Sequence, residues 1–173
     1  SFKLDFHAVK NWRAKVQLKN STVQLWDVDL ERKEWGSLLH ETLAGIFYPQ
    51  DKDKVLENLV HKGLINNDLK EKLKAKVEDL MKDKTIRPFF SEDWQVITER
   101  EILNKSGETY IPDRVLFKEG RVQVVDYKTG SIAKKDSHTQ QIKQYAFLLQ
   151  EMGYKNIETF IIYTEEIQKV HQV

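Results

Sequence analysis

Three ionisable residues flank a predicted β-turn in this sequence: Asp113, Asp126 and Lys128. The turn separates two segments rich in Val, Phe and Tyr, a pattern typical of a β-hairpin. If Glu119-Gly120 or the four residues 118–121 form the loop, opposed residues have numbers that sum to 239, so Asp113 faces Asp126. Side chains alternate along a strand, so Lys128 shares the face of Asp126. We therefore expect two carboxylates and one ammonium group to converge at the end of the hairpin.

Two opposed carboxylates destabilise a sheet unless a positive group lies between them, since their β-carbons are only about 5 Å apart. A divalent cation would remove the repulsion, and oxygen ligands favour Mg²⁺ or Mn²⁺ over zinc. Such a cation acidifies a bound water and polarises a phosphoryl oxygen, which predicts phosphodiester hydrolysis. Two alternatives stay open. Lys128 alone could neutralise one charge in a buried ion-pair cluster without chemistry, and a three-residue loop would turn Asp113 to the opposite face.

The elements that must position these residues are helices followed by strands. Apolar residues at helical spacing predict helices over 33–47, 51–61, 68–84 and 137–152. Segments rich in β-branched and aromatic residues predict an antiparallel meander and one later strand, over 94–103, 109–117, 121–127 and 158–163. Ser137 and Gln140 have the spacing of a capping box at the start of the last helix. The order predicts an α/β fold.

The composition limits the possible partners and compartments. The 28 basic and 27 acidic side chains nearly cancel, so nucleic-acid contacts must come from local clusters. The absence of cysteine excludes disulfides, zinc–thiolate sites and iron–sulfur clusters, and favours the reducing cytoplasm. No apolar stretch approaches the roughly 20 residues of a membrane span. Because the chain starts at Ser1 rather than methionine, we expect it to be a piece of a longer protein.

Four motifs in order resemble those of the PD-(D/E)XK nuclease superfamily, most closely the RecB- and AddA-type nuclease domains attached to recombination helicases. They are Gly36-Ser37-Leu38-Leu39-His40-Glu41, Pro112-Asp113-Arg114-Val115, Val125-Asp126-Tyr127-Lys128-Thr129-Gly130, and Gln141 with Tyr145. The resemblance spans roughly residues 35–163. It implies a restriction-endonuclease-like core, α-β-β-β-α-β, with a central mixed sheet flanked by helices. We expect a single nuclease domain over 1–173, with an N-terminal extension (1–32), a helical part (33–90) and the catalytic β-sheet and helix (91–173).

The resemblance also implies roles for individual residues. Asp113 and Asp126 would bind the metal, joined by His40 and the carbonyl of Tyr127, and Lys128 would be the catalytic lysine. Without the family pattern, a lone helical histidine beside leucines is more often simply packed. We expect the cation to be Mg²⁺ or Mn²⁺. We expect no iron–sulfur cluster.

Gln141 and Tyr145 lie one helical turn apart and can face the same groove. The resemblance implies that they support the lysine or the DNA strand, whereas the plain interpretation makes Tyr145 a core aromatic and Gln141 a solvated neighbour. Glu99 is a further acidic candidate, although a four-residue loop at 104–107 would place it opposite Pro112, away from Asp113. Candidates for phosphate contacts are Lys134, Lys135 and Lys143, which could instead be solvated surface lysines. Candidates for stacking on bases are Trp94, Phe89 and Phe90, which could instead be core aromatics.

The predicted function is a Mg²⁺-dependent deoxyribonuclease, the exonuclease module of a recombination or repair helicase-nuclease. Its partners would be single-stranded DNA and a helicase region of the same longer polypeptide. One rival is a catalytically inactive nuclease-fold module that docks DNA or a helicase. Another is a metal-dependent phosphatase acting on a small molecule, for which no phosphate-binding glycine loop is present.

Overall fold

A computed structural model describes residues 27–104, 107–130 and 132–173, with the backbone alone for 27–32. The predicted N-terminal extension therefore lies outside the described residues up to position 26. Residues 27–32, the last of the predicted extension, form the start of the first helix. None of the helices in the described ranges has the length and apolar character needed to cross a membrane.

Among the described residues, four α-helices flank the sheet. They are α1 (Asp27–Gly45), α2 (Lys52–His61), α3 (Asn67–Lys82) and α4 (Lys135–Glu151). Helix α3 begins where Asn66 accepts a 2.9 Å hydrogen bond from the Leu69 N–H, which satisfies one free donor of the first turn. The capping box predicted at Ser137 is wrong. Helix α4 starts two residues earlier, and the Ser137 hydroxyl donates to the Lys134 carbonyl instead.

In the part of the chain that the structure describes, seven strands form two sheets. They are β1 (Gln95–Thr98), β2 (Ile102–Leu103), β3 (Thr109–Tyr110), β4 (Arg114–Lys118), β5 (Arg121–Lys128), β6 (Asn156–Tyr163) and β7 (Val170–Gln172). The main sheet has the order β1-β4-β5-β6-β7, and β2 pairs with β3. Strands β5 and β6 are parallel because α4 crosses between them, and the remaining pairs are antiparallel. The predicted mixed sheet flanked by helices is confirmed, with β7 as an unpredicted edge strand.

The β4–β5 hairpin has the predicted register. Glu119 and Gly120 both have positive φ values, 47° and 78°, as a two-residue type I′ turn requires. Lys118 pairs with Arg121, and the ladder continues to Arg114 opposite Val125. Asp113 lies one residue beyond the last pair, so the hairpin brings it to the level of Asp126.

The first two predicted strands are each interrupted. Glu99, with φ of 44°, separates β1 from β2, and residues 111–113 separate β3 from β4. The four-residue loop considered for 104–107 is wrong: the Asn104 N–H donates to the Glu108 carbonyl, and Gly107 has φ of 81°, as in a three-residue loop. The three-residue loop changes the register by one residue, so Glu99 lies opposite Asp113 instead of Pro112. The Glu99 N–H donates to the Asp113 carbonyl, with 3.3 Å between nitrogen and oxygen.

The sheet separates two hydrophobic layers. Helices α1, α2 and α3 pack on the face that carries Val125 and Tyr127, while α4 packs on the face that carries Val122 and Val124. Because side chains alternate along β5, Asp126 and Lys128 lie on the α4 face. The elements that carry the candidate residues meet at the end of the sheet where β4 begins and β5 ends.

Candidate active site

Asp113 stands at the point where the main-chain ladder between β4 and β5 ends. Its Oδ2 accepts a 2.6 Å hydrogen bond from the Tyr127 N–H, which fixes the carboxylate against β5. The Tyr127 N–H thus holds Asp113 in place, and its side chain is buried among the helices of the opposite face. The predicted role of the Tyr127 carbonyl as a metal ligand stays a prediction.

Asp126 and Lys128 form the buried end of the cluster. Lys128 Nζ lies 2.7 Å from Asp126 Oδ2, and the Asp126 side chain is only 3% exposed. This contact is an ion pair without the alignment of a hydrogen bond, so Oδ2 lacks a hydrogen-bond partner among the described residues. A buried ion pair of this kind is what we expect if Lys128 neutralises one carboxylate in a structural cluster without catalytic activity.

The carboxyl group of Asp126 nevertheless has a raised pKa, despite the lysine beside it. Burial raises the pKa of Asp126 from 3.8 to about 6, with a further contribution from the Asp113 carboxylate, and the opposing effects of Lys128 and His40 do not offset this rise. A neutralising ion-pair cluster would lower the pKa of its carboxyl group instead. The ionised form of Asp126 is therefore disfavoured in the folded chain although Lys128 lies beside it.

His40 approaches the two aspartates from helix α1. Its Nδ1 is 3.7 Å from Asp113 Oδ2, and its ring packs edge-on against Tyr127 with 6.2 Å between centroids. Burial alone would lower the pKa of His40, but Asp113 and Asp126 more than offset it, so the pKa is raised. The structure thus places His40 beside the carboxylates rather than among the packed leucines.

The approach of α1 depends on Gly36. A Cβ at this position would lie 2.6 Å from Thr129 Oγ1, at the end of β5. Glycine lets the helix backbone touch the strand end, and His40 follows one helical turn later on the same side of α1. The spacing of Gly36 and His40 in the first motif thus has a steric reason.

Gln141 and Tyr145 connect the lysine to the backbone. Lys128 Nζ donates to Gln141 Oε1 at 3.0 Å, Gln141 Nε2 donates to the Tyr145 hydroxyl at 2.8 Å, and that hydroxyl donates to the Ile111 carbonyl at 3.2 Å. Burial raises the pKa of Tyr145 to about 12, so its hydroxyl keeps the proton that it donates. Tyr145 is also a core aromatic, so both predicted interpretations apply to it.

Arg114 is a structural anchor that the sequence did not reveal. Its side chain is fully buried, and its guanidinium donates to the carbonyls of Leu43, Ile46, Phe47 and Phe89. It also lies over the Phe90 ring, 4.2 Å from the centroid. Because these carbonyls include the end of α1, Arg114 ties the helix that carries His40 to the strand that follows Asp113. An arginine beside an aspartate in the sequence would suggest an exposed ion pair, so the pattern gave no signal for this role.

An open cleft of about 560 Å³ lies beside the carboxylates on the α1 side. Its lining includes Gly36, Ser37, His40, Glu41, Glu99 and Thr129. Glu99 adopts the left-handed backbone conformation that residues with side chains rarely adopt, a feature often found at functional sites. Glu99, at the break between β1 and β2, thus lines the same cleft as His40, a placement that the sequence left undetermined.

The other candidates separate into surface and core. Lys134 and Lys135 are exposed at the start of α4, and Lys143 is exposed near its middle, as phosphate contacts require. Phe89 and Phe90 are buried, 5% and 1% exposed, so these two do not stack on bases. Trp94 is half-buried against the same core, with its ring N–H bonded to the Pro88 carbonyl at 3.1 Å. The three lysines therefore stay candidates for phosphate contacts, and base stacking by Trp94 stays a prediction.

The donor set is chemically suited to a hard divalent cation. Asp113 and Asp126 supply carboxylate oxygens, one of them buried and without a hydrogen bond, and His40 supplies a ring nitrogen. Within residues 27–104, 107–130 and 132–173, however, no three histidine or acidic side chains are close enough to form a metal cluster as they stand. The residues thus fit such a cation by chemistry and charge, and their side chains would have to adjust around it.

Comparison with known families gives one match. The model of the PD-(D/E)XK nuclease superfamily matches residues 11–172, most of the chain, and this extent places the protein in that superfamily. The comparison with curated proteins gave no match. Membership implies nuclease activity in general, and nucleases of this superfamily generally use Mg²⁺ or Mn²⁺. The match is to the superfamily as a whole and does not distinguish its subgroups.

Proposed function

Because the chain belongs to the PD-(D/E)XK nuclease superfamily, we propose that it is a Mg²⁺- or Mn²⁺-dependent DNA nuclease centred on Asp113, Asp126 and Lys128. The observation that carries the proposal is the meeting of two carboxylates and a lysine at one end of the sheet: Asp126, 3% exposed, lies 2.7 Å from Lys128 Nζ, and Asp113 is fixed beside it by the Tyr127 N–H. Burial and the Asp113 carboxylate raise the pKa of Asp126, and a bound cation would stabilise the ionised form of both carboxyl groups.

The residues divide the chemical work. Asp113 and Asp126 hold the cation, with His40 and the Tyr127 carbonyl as further ligands. When bound, the cation supplies an acidified water and polarises a phosphoryl oxygen. Lys128 keeps a positive charge beside the reacting phosphate, where an ammonium group stabilises developing negative charge or orients the attacking water.

The positioning of Lys128 rests on its neighbours. Gln141 accepts its hydrogen bond, and Tyr145 fixes Gln141 from the helix core. A lysine side chain loses much rotamer freedom when it is held in one geometry. Gln141 and Tyr145 hold that geometry before the substrate binds, which is the preorganisation on which electrostatic catalysis depends.

We further propose single-stranded DNA as the substrate and an exonuclease role in a RecB- or AddA-type helicase-nuclease. The support is the set of four motifs, including Gln141 with Tyr145, and the lack of cysteines for an iron–sulfur cluster. The helicase would be another region of the same polypeptide, and the compartment the cytoplasm. Residues 1–173 would then form a single nuclease domain.

The test is cleavage of end-labelled single-stranded DNA, duplex DNA and RNA with Mg²⁺, Mn²⁺ or EDTA. Asp126→Ala and Lys128→Ala are expected to remain folded and to lose cleavage by at least about 100-fold. The matched control is Lys118→Ala, which removes a lysine paired with Asp93 at 3.5 Å near the opposite end of the hairpin. It should cleave like the wild-type chain.

Two results would decide against the proposal. Full activity in Asp126→Ala or Lys128→Ala would reject the assigned roles. Absence of both cleavage and Mn²⁺ binding by calorimetry would favour the inactive docking module, for which the Asp126–Lys128 ion pair is a purely structural contact. Equal degradation of circular and linear single strands would reject the exonuclease role alone.

A further inference from the structure

His138 lies on the same face of α4 as the two residues that hold the lysine. Positions 138, 141 and 145 are three and four residues apart, so their side chains follow one stripe of the helix. Gln141 and Tyr145 both reach the Lys128 network from this stripe. His138 therefore extends the stripe toward the start of α4, beyond the groups already described.

A buried tyrosine fixes the orientation of the His138 ring. Its Nδ1 lies 3.0 Å from the Tyr163 hydroxyl, and Tyr163 is the β6 residue paired with Lys128. Tyr163 is fully buried, and among the described residues Nδ1 is the group within reach that can accept its hydroxyl proton, so the phenol donates to Nδ1. Burial raises the pKa of Tyr163, which agrees with a protonated phenol. A neutral imidazole that accepts at Nδ1 carries its own proton at Nε2. The tyrosine thus makes Nε2–H the donor that His138 offers.

The surroundings of this donor favour a negatively charged ligand. Burial lowers the pKa of His138, and the positive charges of Lys128 and Lys134 lower it further. The imidazole therefore stays neutral at neutral pH, and a neutral N–H beside two ammonium groups is a good donor to an anion. Lys134 is exposed at the surface, while Lys128 faces the carboxylates. These three side chains lead from the surface to the proposed cleavage site.

We propose that His138 binds a non-bridging oxygen of a DNA phosphate through Nε2–H, between the contacts of Lys134 and Lys128, and so positions the strand at the active site. The inference rests on the proposed nuclease function and assigns the α4 side of the site to the sugar-phosphate backbone. A phosphate is favoured over a base edge because both neighbouring side chains are cationic.

The test measures binding of fluorescein-labelled oligothymidylate to the 173-residue chain by fluorescence anisotropy in EDTA, across a range of salt concentrations. His138→Ala is expected to weaken binding about tenfold, the effect of one hydrogen bond to a charged group. The slope of affinity against salt should stay unchanged, because a neutral donor releases no counterion. Lys134→Gln should instead reduce the slope by about 0.7, one phosphate contact on a single strand.

The matched control is His171→Ala. His171 packs edge-on against the other side of Tyr163, with 5.4 Å between ring centroids, and its Nε2 bonds to the Gln168 carbonyl. If His138 only supported Tyr163, the two alanine variants would weaken binding alike. His138→Gln keeps a side-chain N–H and is expected to bind within about threefold of wild type.

The outcomes separate this inference from the proposed function. If the wild-type chain cleaves DNA and His138→Ala binds oligothymidylate as tightly as wild type, the phosphate contact alone is overturned. Equal losses in His138→Ala and His171→Ala would overturn it as well. A wild-type chain that neither binds nor cleaves single-stranded DNA would overturn both proposals. A loss specific to His138→Ala, recovered by His138→Gln, would establish the contact.

Discussion

Replacing Asp126 with asparagine should stabilise the metal-free protein while abolishing its activity. The side chain is 3% exposed, and its pKa is raised from 3.8 to about 6 by burial and by Asp113. Because each tenfold change in proton affinity is about 1.4 kcal/mol, this rise corresponds to about 3 kcal/mol of folding stability lost when the carboxyl is ionised. An asparagine side chain would keep the shape and the oxygen that faces Lys128. Asp126→Asn should therefore raise the free energy of unfolding by about 2–3 kcal/mol at pH 8.

The pH dependence follows from the direction of the pKa change. The folded chain holds the Asp126 proton more tightly than the unfolded chain, so between about pH 4 and 6 it binds more protons. Stability from this group is therefore lost as the pH rises through that window. The advantage of Asp126→Asn should be full at pH 8 and vanish below about pH 4, where the wild-type carboxyl is protonated in both states.

The assay is urea unfolding followed by circular dichroism in EDTA, repeated with Mn²⁺. A cation at 100 times its Kd stabilises the wild-type chain by about 2.7 kcal/mol and leaves Asp126→Asn unchanged, so the difference between them should close. Asp136→Asn, at an exposed position in the first turn of α4, should lower stability by no more than about 1 kcal/mol, the interaction of one charge with the helix dipole. If Asp126→Asn were no more stable than wild type at pH 8 in EDTA, the charge at Asp126 would already be compensated.

Three further substitutions test the supports of the site. Arg114→Met leaves four buried carbonyls without their donor and should cost about 3–5 kcal/mol in urea unfolding; a cost below about 1 kcal/mol would contradict its role as an anchor. Gly36→Ala should cost about 1 kcal/mol net, since the steric cost exceeds the gain in helix propensity, and Thr129→Ala in the same chain should recover it. Gln141→Leu should lower kcat roughly tenfold with an unchanged melting temperature, whereas a change confined to KM would place Gln141 on the substrate.

The hairpin that carries the aspartates could be predicted because its signals are local. A Glu-Gly turn with positive φ at both residues fixes the register, and a period of two then sets the faces of Asp126 and Lys128. The mixed sheet and α4 followed from similar patterns. The register across residues 104–107 could not be predicted, because a three-residue and a four-residue loop suit the same residues. The loop length decides whether Glu99 lies opposite Asp113.

The remaining features depend on contacts between distant segments. Arg114 is buried because the last carbonyls of α1 need donors, and this need is visible only when the helix end is placed against β4. Strand β7 has three residues and, within the described ranges, pairs with β6 alone, so its sequence has little periodicity to detect. The spacing of His138 from Gln141 could have been noticed, since a helix places both on one stripe. Its bond to Tyr163 required the parallel pairing of β5 and β6.

The site exists because several separate constraints act at one end of the sheet. The type I′ turn brings Asp113 to the level of Asp126, the crossover of α4 places Gln141 over Lys128, and the close approach at Gly36 brings His40 to Asp113. A shift of one residue along β5 would move Asp126 and Lys128 to the α1 face, away from Gln141 on α4. The turn and the helix crossing therefore contribute to the chemistry as directly as the ionisable groups of the site do, and changes at these supporting positions should alter cation binding without touching a ligand.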